Sequence, residues 1–219
     1  MRRILRKFSK YADKLLAKQR KQKLNNCDFS IICNNCWAGY VYRKFALPYL
    51  TPTVGLYFFA DDYVKFCHNL RHYMEQPLEF ITYDESRYKD IIVKRKHQNV
   101  PIGRIGDVEI VFLHYKTEEE AREKWERRAK RINYDNLIFK FSKMNYCTEE
   151  DLKRFDELRC DKKICFVPPK DKGIIKSAVV FKSAGNNDCI HNDTSEYDRY
   201  INLFKLINSG KVNGTIFEE

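Results

Sequence analysis

Phe29-Ser-Ile-Ile-Cys-Asn-Asn-Cys-Trp-Ala-Gly-Tyr-Val-Tyr-Arg-Lys-Phe-Ala-Leu47 reads as a strand running straight into a helix. Residues 29–33 are a short run, apolar but for Ser30, as in a strand buried on both faces. Asn34 and Asn35 follow with side-chain acceptors suited to capping a helix. That helix halts before Pro48, because the residue ahead of a proline is pushed out of helical geometry. A strand with no polar face, leading into a helix, belongs to a sheet covered by helices rather than one open to water.

The pattern recurs outward from there. Further strands are expected at 53–58, 78–82, 137–141, 164–167 and 178–181, and a hairpin joins 102–105 to 108–114 through Gly106-Asp107. Asp61 and Asp62 sit in the first turn of a helix whose apolar face is Tyr63, Phe66, Cys67, Leu70 and Met74. Residues 83–101 read as a helical turn plus loop. Thr117 with Glu120 makes a capping box, and the helix behind it offers acid-to-base pairs at 118/122, 120/124, 123/127 and 126/130. Thr148 with Asp151 opens another helix. A last one spans 195–208, with Tyr197, Ile201, Phe204 and Ile207 inward, and ends at Gly210. Alternating strands and helices predict an α/β fold: three layers, a mixed but mostly parallel sheet with helices on both faces, in a single domain over 27–219.

The charge is unevenly placed. The chain of 219 residues carries +11. Residues 1–24 hold ten Lys or Arg against Asp13 alone, or +9, and the remaining thirty-one bases face twenty-nine acids. Leu5, Phe8, Ala12 and Leu15 recur at helical spacing within this stretch, so residues 1–26 read as a basic amphipathic helix appended to a nearly neutral body. The eight cysteines read as free thiols of a reducing cytoplasm. No apolar run reaches membrane-spanning length.

In α/β sheets ligands bind beyond the carboxyl ends of the strands. That places candidates at Asn34, Asn35, Cys36 and Trp37, at His114 and Tyr115, at Ser142 and Lys143, and at Pro169 and Lys170. Asn34 and Asn35 either cap a helix or hydrogen-bond sugar hydroxyls, which need donors and acceptors together. His114 is either structural or a general base, since imidazole titrates near neutrality. Asp61 and Asp62 are dipole partners or a metal-bridging carboxylate pair; Asp62 joins His114 as a candidate catalytic group. Trp37 and Tyr115 are candidate substrate contacts. Arg127, Arg128 and Arg131 either line a solvated face or meet phosphate. Cys33-x-x-Cys36 has no second pair to complete a zinc site. No Walker loop, dinucleotide fingerprint, nucleophile elbow or zincin motif is present, so the residues assign neither cofactor nor metal.

Several motifs occur together in fixed order: Asn34-Asn-Cys-Trp-Ala-Gly39, Thr51-Pro-Thr-Val-Gly55, Pro101-Ile-Gly103, Phe112-Leu-His-Tyr115, Glu120-Ala-Arg-Glu-Lys-Trp-Glu-Arg-Arg128 and Arg131-Ile-Asn-Tyr-Asp-Asn136. Over about residues 28–170 they resemble the bacterial domain-of-unknown-function 1919 family. Its usual Trp-Gly-Gly stands here as Trp37-Ala-Gly39. Members of that family are often labelled exopolysaccharide or capsular polysaccharide biosynthesis proteins. The resemblance implies a glycosyltransferase-like enzyme using a nucleotide sugar and a lipid-linked acceptor, with Asn34 and Asn35 on hydroxyls, His114 as base and the three arginines on phosphate. Residues 1–24 would then rest on the anionic inner face of the membrane. The alternatives are a non-catalytic binding or scaffold protein, or nucleic-acid binding through residues 1–24, which the neutral body and the lack of recognition motifs disfavour.

Overall fold

Four strands, β1 (Ser30–Cys33), β6 (Leu137–Ser142), β7 (Lys163–Val167) and β8 (Ala178–Val180), form a wholly parallel sheet in the order β1-β6-β7-β8. The computed structural model describes residues 15–209. The other four, β2 (Tyr57–Phe58), β3 (Glu79–Ile81), β4 (Ile102–Ile105) and β5 (Val108–Val111), form a separate antiparallel sheet, ordered β2-β5-β4-β3. The expected single mixed sheet is therefore corrected to two. The β4–β5 hairpin takes its partners, β2 and β3, from its own half of the chain, and these four strands pair only with one another.

Alternation along the parallel strands splits their side chains between two cores. Ile32, Phe139, Phe141, Cys165 and Val167 face one way, into a cluster shared with Phe58, Ile105, Val108 and Ile110 of the second sheet. Between the sheets lie α3 (Ala60–His68) and α7 (Glu149–Asp156), through Tyr63, Val64, Phe66, Leu152 and Phe155. Trp125 of α6 (Glu118–Ala129) closes the same core. Ile31, Cys33, Ile138, Ile164 and Phe166 face the other way, onto α2 (Trp37–Lys44) and α8 (Leu203–Asn208). Helices thus cover both faces of the parallel sheet. The far face of the antiparallel sheet is covered by Ile92 of α5 (Lys89–Lys94).

β1 is an edge strand, and side chains rather than a further strand meet its outer backbone groups. The Tyr42 hydroxyl accepts from Ile31 N and donates to Phe29 O. The Thr53 hydroxyl accepts from Cys33 N and donates to Ile31 O. This explains why residues 53–56 leave the expected strand: the chain there turns its threonine toward β1, and only Tyr57 and Phe58 pair with β5.

The expected helices form with two changes. Helix α3 breaks at Asn69, and a short α4 (Leu70–Glu75) continues from it. The expected 195–208 helix is a 3-10 turn over Tyr197–Arg199 followed by α8, because the Asn202 side chain accepts from Phe204 N and Lys205 N and starts the helix anew. The Thr117 and Thr148 caps form, and so do the 120/124 and 123/127 ion pairs. Of the basic N-terminal helix, residues 1–14 lie outside the described residues, and 15–22 are helical (α1). Ala17 and Leu24 are buried while Leu15 and Leu16 are exposed, so the buried side of this segment differs from the expected one. Among the described residues no helix is long and apolar enough to cross a membrane.

Candidate functional site

Helices α2 and α6 bring together a cleft of about 270 Å³ with the segment 54–55 and the residues that follow β5. From α2 come Gly39, Tyr40 and Arg43, just beyond Cys36. From α6 come Lys124 and Arg128, four residues apart and so on one face. His114 and Tyr115 enter from the end of the hairpin strand, and His114 is exposed at the rim. Gly55 has φ +78°, and a β-carbon there would stand 3.0 Å from the Tyr115 ring, so the close approach depends on glycine.

Arg128 is the electrostatic centre. Its side chain is 7% exposed. One guanidinium nitrogen donates to the Tyr115 hydroxyl at 2.6 Å and to Val54 O at 3.3 Å. Its Nε is buried with no hydrogen-bond partner among the described residues. The Tyr49 ring lies 4.9 Å from the guanidinium carbon. Burial pushes the Tyr115 phenol up, so it stays protonated and donates to Val54 O while accepting from Arg128. Arg43 stacks 4.5 Å over Tyr40, and Lys124 is paired with Glu120. Among the described residues no carboxylate lines the cleft. A buried guanidinium with an idle N–H, in a cationic and aromatic cleft, is suited to an oxyanion.

Of the candidate residues, Cys36, His114, Tyr115 and Arg128 meet here. The others do not. Trp37 is fully buried, edge-on to Phe166 and Tyr197, and has no surface for a substrate. Asn34 is also fully buried, and both ends of its amide bind the backbone of Ser142, clamping β1 to β6. Asn35 caps Trp37 N and binds Asp193. Arg127 is paired with Glu123 on the outer face of α6, and Arg131 lies in a separate groove. Asp62 is buried beside Arg87 at 2.7 Å and accepts from Glu109 N at 3.0 Å, while Asp61 turns to Arg154. The two carboxylates diverge, so they do not bridge one ion. Ser142 and Lys143 are also consumed, by Asp193 and Asp171. Burial, with the Cys33 thiol beside it, raises Cys36 to about 11, and burial raises Cys33 as well, so neither is a thiolate at neutral pH.

Residues 7–209 match the family model described as Domain of unknown function (DUF1919). The chain belongs to this family. It is also similar to an uncharacterized protein of Haemophilus influenzae, 32% identical over 162 residues that cover 74% of this chain and 72% of the relative.

Sequence reading of this DUF1919 protein missed Tyr40, Arg43, Tyr49 and Lys124. A signal existed for three of them. Cys36, Tyr40 and Arg43 recur at four and three on one face of α2, and Lys124 stands four before Arg128. Tyr49 follows Pro48 in irregular chain, where no periodicity marks it.

Proposed function

We propose that the Arg128 cleft binds the phosphate groups of a nucleotide sugar and that the protein is a glycosyltransferase-like enzyme of surface-polysaccharide assembly. The observation that carries the reading is the buried guanidinium of Arg128, whose Nε has no partner among the described residues. A phosphate oxygen would accept from Nε, and a second would meet Arg43 across the opening. Tyr40 and Tyr49 offer ring faces to a sugar or base. His114, exposed at the rim, would accept the proton of an acceptor hydroxyl as that oxygen attacks the anomeric carbon and the nucleoside diphosphate departs. A lipid-linked acceptor at the membrane face agrees with the +9 of residues 1–24.

The test is thermal denaturation with a panel of nucleoside diphosphate sugars. A ligand at a hundred times its Kd adds about 2.7 kcal/mol, a shift of several degrees. Arg128→Ala is expected to abolish the shift, and His114→Ala to keep it while removing sugar transfer. No shift with any donor would overturn the reading. A second reading, a binding protein without turnover, is favoured by a cleft with no carboxylate lining it among the described residues. It predicts the thermal shift with no product from either wild type or His114→Ala.

A further inference from the structure

The motif Arg131-Ile-Asn-Tyr-Asp-Asn136 plays no part in the Arg128 cleft. It forms the turn between α6 and β6, and it borders two adjoining depressions, one of about 920 Å³ and one of about 510 Å³. They share Arg71, Asn133, Tyr134 and Asp135, so they make one continuous groove across the amino ends of β6 and β7.

The groove is distinguished by its unpaired cations. Earlier on α6, Arg122, Lys124 and Arg127 each meet a glutamate one turn away. Lys130 and Arg131, at the end of that helix, meet none among the described residues, and the same holds for Arg71, Arg159 and Lys162. All five line the groove. The Arg71 guanidinium carbon lies 4.1 Å from the centre of the Tyr134 ring. Lys162 is only 8% exposed, and its ammonium donates to two neutral oxygens, Asn136 Oδ1 at 3.0 Å and Ile207 O at 3.2 Å. Burial holds its pKa below the usual lysine value. Asp161 beside it offsets only part of that cost, and an incoming anion would offset more.

The groove also carries acceptors. Asp28, Asp135 and Asp161 are spaced among the bases. A nucleic-acid backbone would meet repulsion at each of them. Hydroxyls, in contrast, need acceptors as well as donors. We infer that this groove is a second binding site, for an acidic saccharide: the five bases meet its carboxylate, sulfate or phosphate groups, and the three aspartates accept from its hydroxyls. The inference does not rest on the Arg128 cleft.

Fluorescence anisotropy with the full chain tests it, using a short labelled oligogalacturonate, a neutral galactan of equal length and a short single-stranded RNA. The oligogalacturonate is expected to bind saturably and to weaken as salt is raised, and the galactan to bind at least about tenfold more weakly. Arg71→Ser with Arg159→Ser, both exposed positions, should weaken the acidic probe about tenfold or more at unchanged melting temperature, whereas Arg128→Ala should leave it bound. Three results would each overturn the proposal: no saturable binding at low salt, tighter binding of RNA than of oligogalacturonate, or affinity indifferent to the two arginine substitutions.

Discussion

Lys140 and Asp193 are both almost fully enclosed, and they form an ion pair beside Ser142 and Asn35. The lysine ammonium also lies 4.8 Å from the Phe166 ring. Removing one partner strands the other charge in the core. Asp193→Ala is therefore expected to cost about 3–5 kcal/mol in urea unfolding, and Lys140→Met with Asp193→Leu together should cost less than Asp193→Ala alone. Asp62 supplies a pH signature. Burial raises its carboxyl to about 6, against the pull of Arg87 and Glu109 N. A carboxyl raised on folding holds its proton more tightly in the native state. Its contribution is full below about pH 4 and is lost as pH rises through about 6. Melting temperature measured between those values should fall with pH for this reason, and Asp62→Asn should flatten that part of the curve. Neither network was legible in the sequence. Asp193 lies in a polar loop more than fifty residues from Lys140, and nothing in local spacing links a strand lysine to it.

At the scale of elements, local signals were read well and long-range pairings were not. Mainly apolar runs marked the strands, because burial on both faces leaves few polar positions, Ser30, Lys140 and Ser142 among them. The caps at Thr117 and Thr148 were legible because capping needs only residues three apart. The division into two sheets was not, since hairpin spacing says nothing of which edge the hairpin will meet. The same limit split the candidate site: His114 and Tyr115 were found by strand-end position, whereas Asn34, Asn35 and Trp37, chosen by the same rule, turned into the core. Strand β4 gives the sharpest element-level test. A β-carbon on Gly103 would stand 2.6 Å from Leu78 Cδ1 and 2.7 Å from Phe112 Cε2. Gly103→Ala is expected to destabilise by about 1–3 kcal/mol in chemical denaturation, through overpacking rather than backbone strain.

Across the whole molecule, the two tryptophans report on different cores. Trp37 lies between α2 and the parallel sheet, and Trp125 in the cluster that both sheets share. The parallel strands contribute to both clusters, so the cores should melt together. Urea transitions followed by fluorescence in Trp37→Phe and in Trp125→Phe are expected to show the same slope, with midpoints differing only by what each substitution costs. Two distinct slopes would mean that the sheets unfold as separate units. The hydroxyls of Tyr42 and Thr53 matter at this scale too. By occupying the outer groups of β1, they deny a neighbouring chain the template it would need to extend the sheet at that edge. Two ordinary side chains thereby stand where an added strand would have to bond.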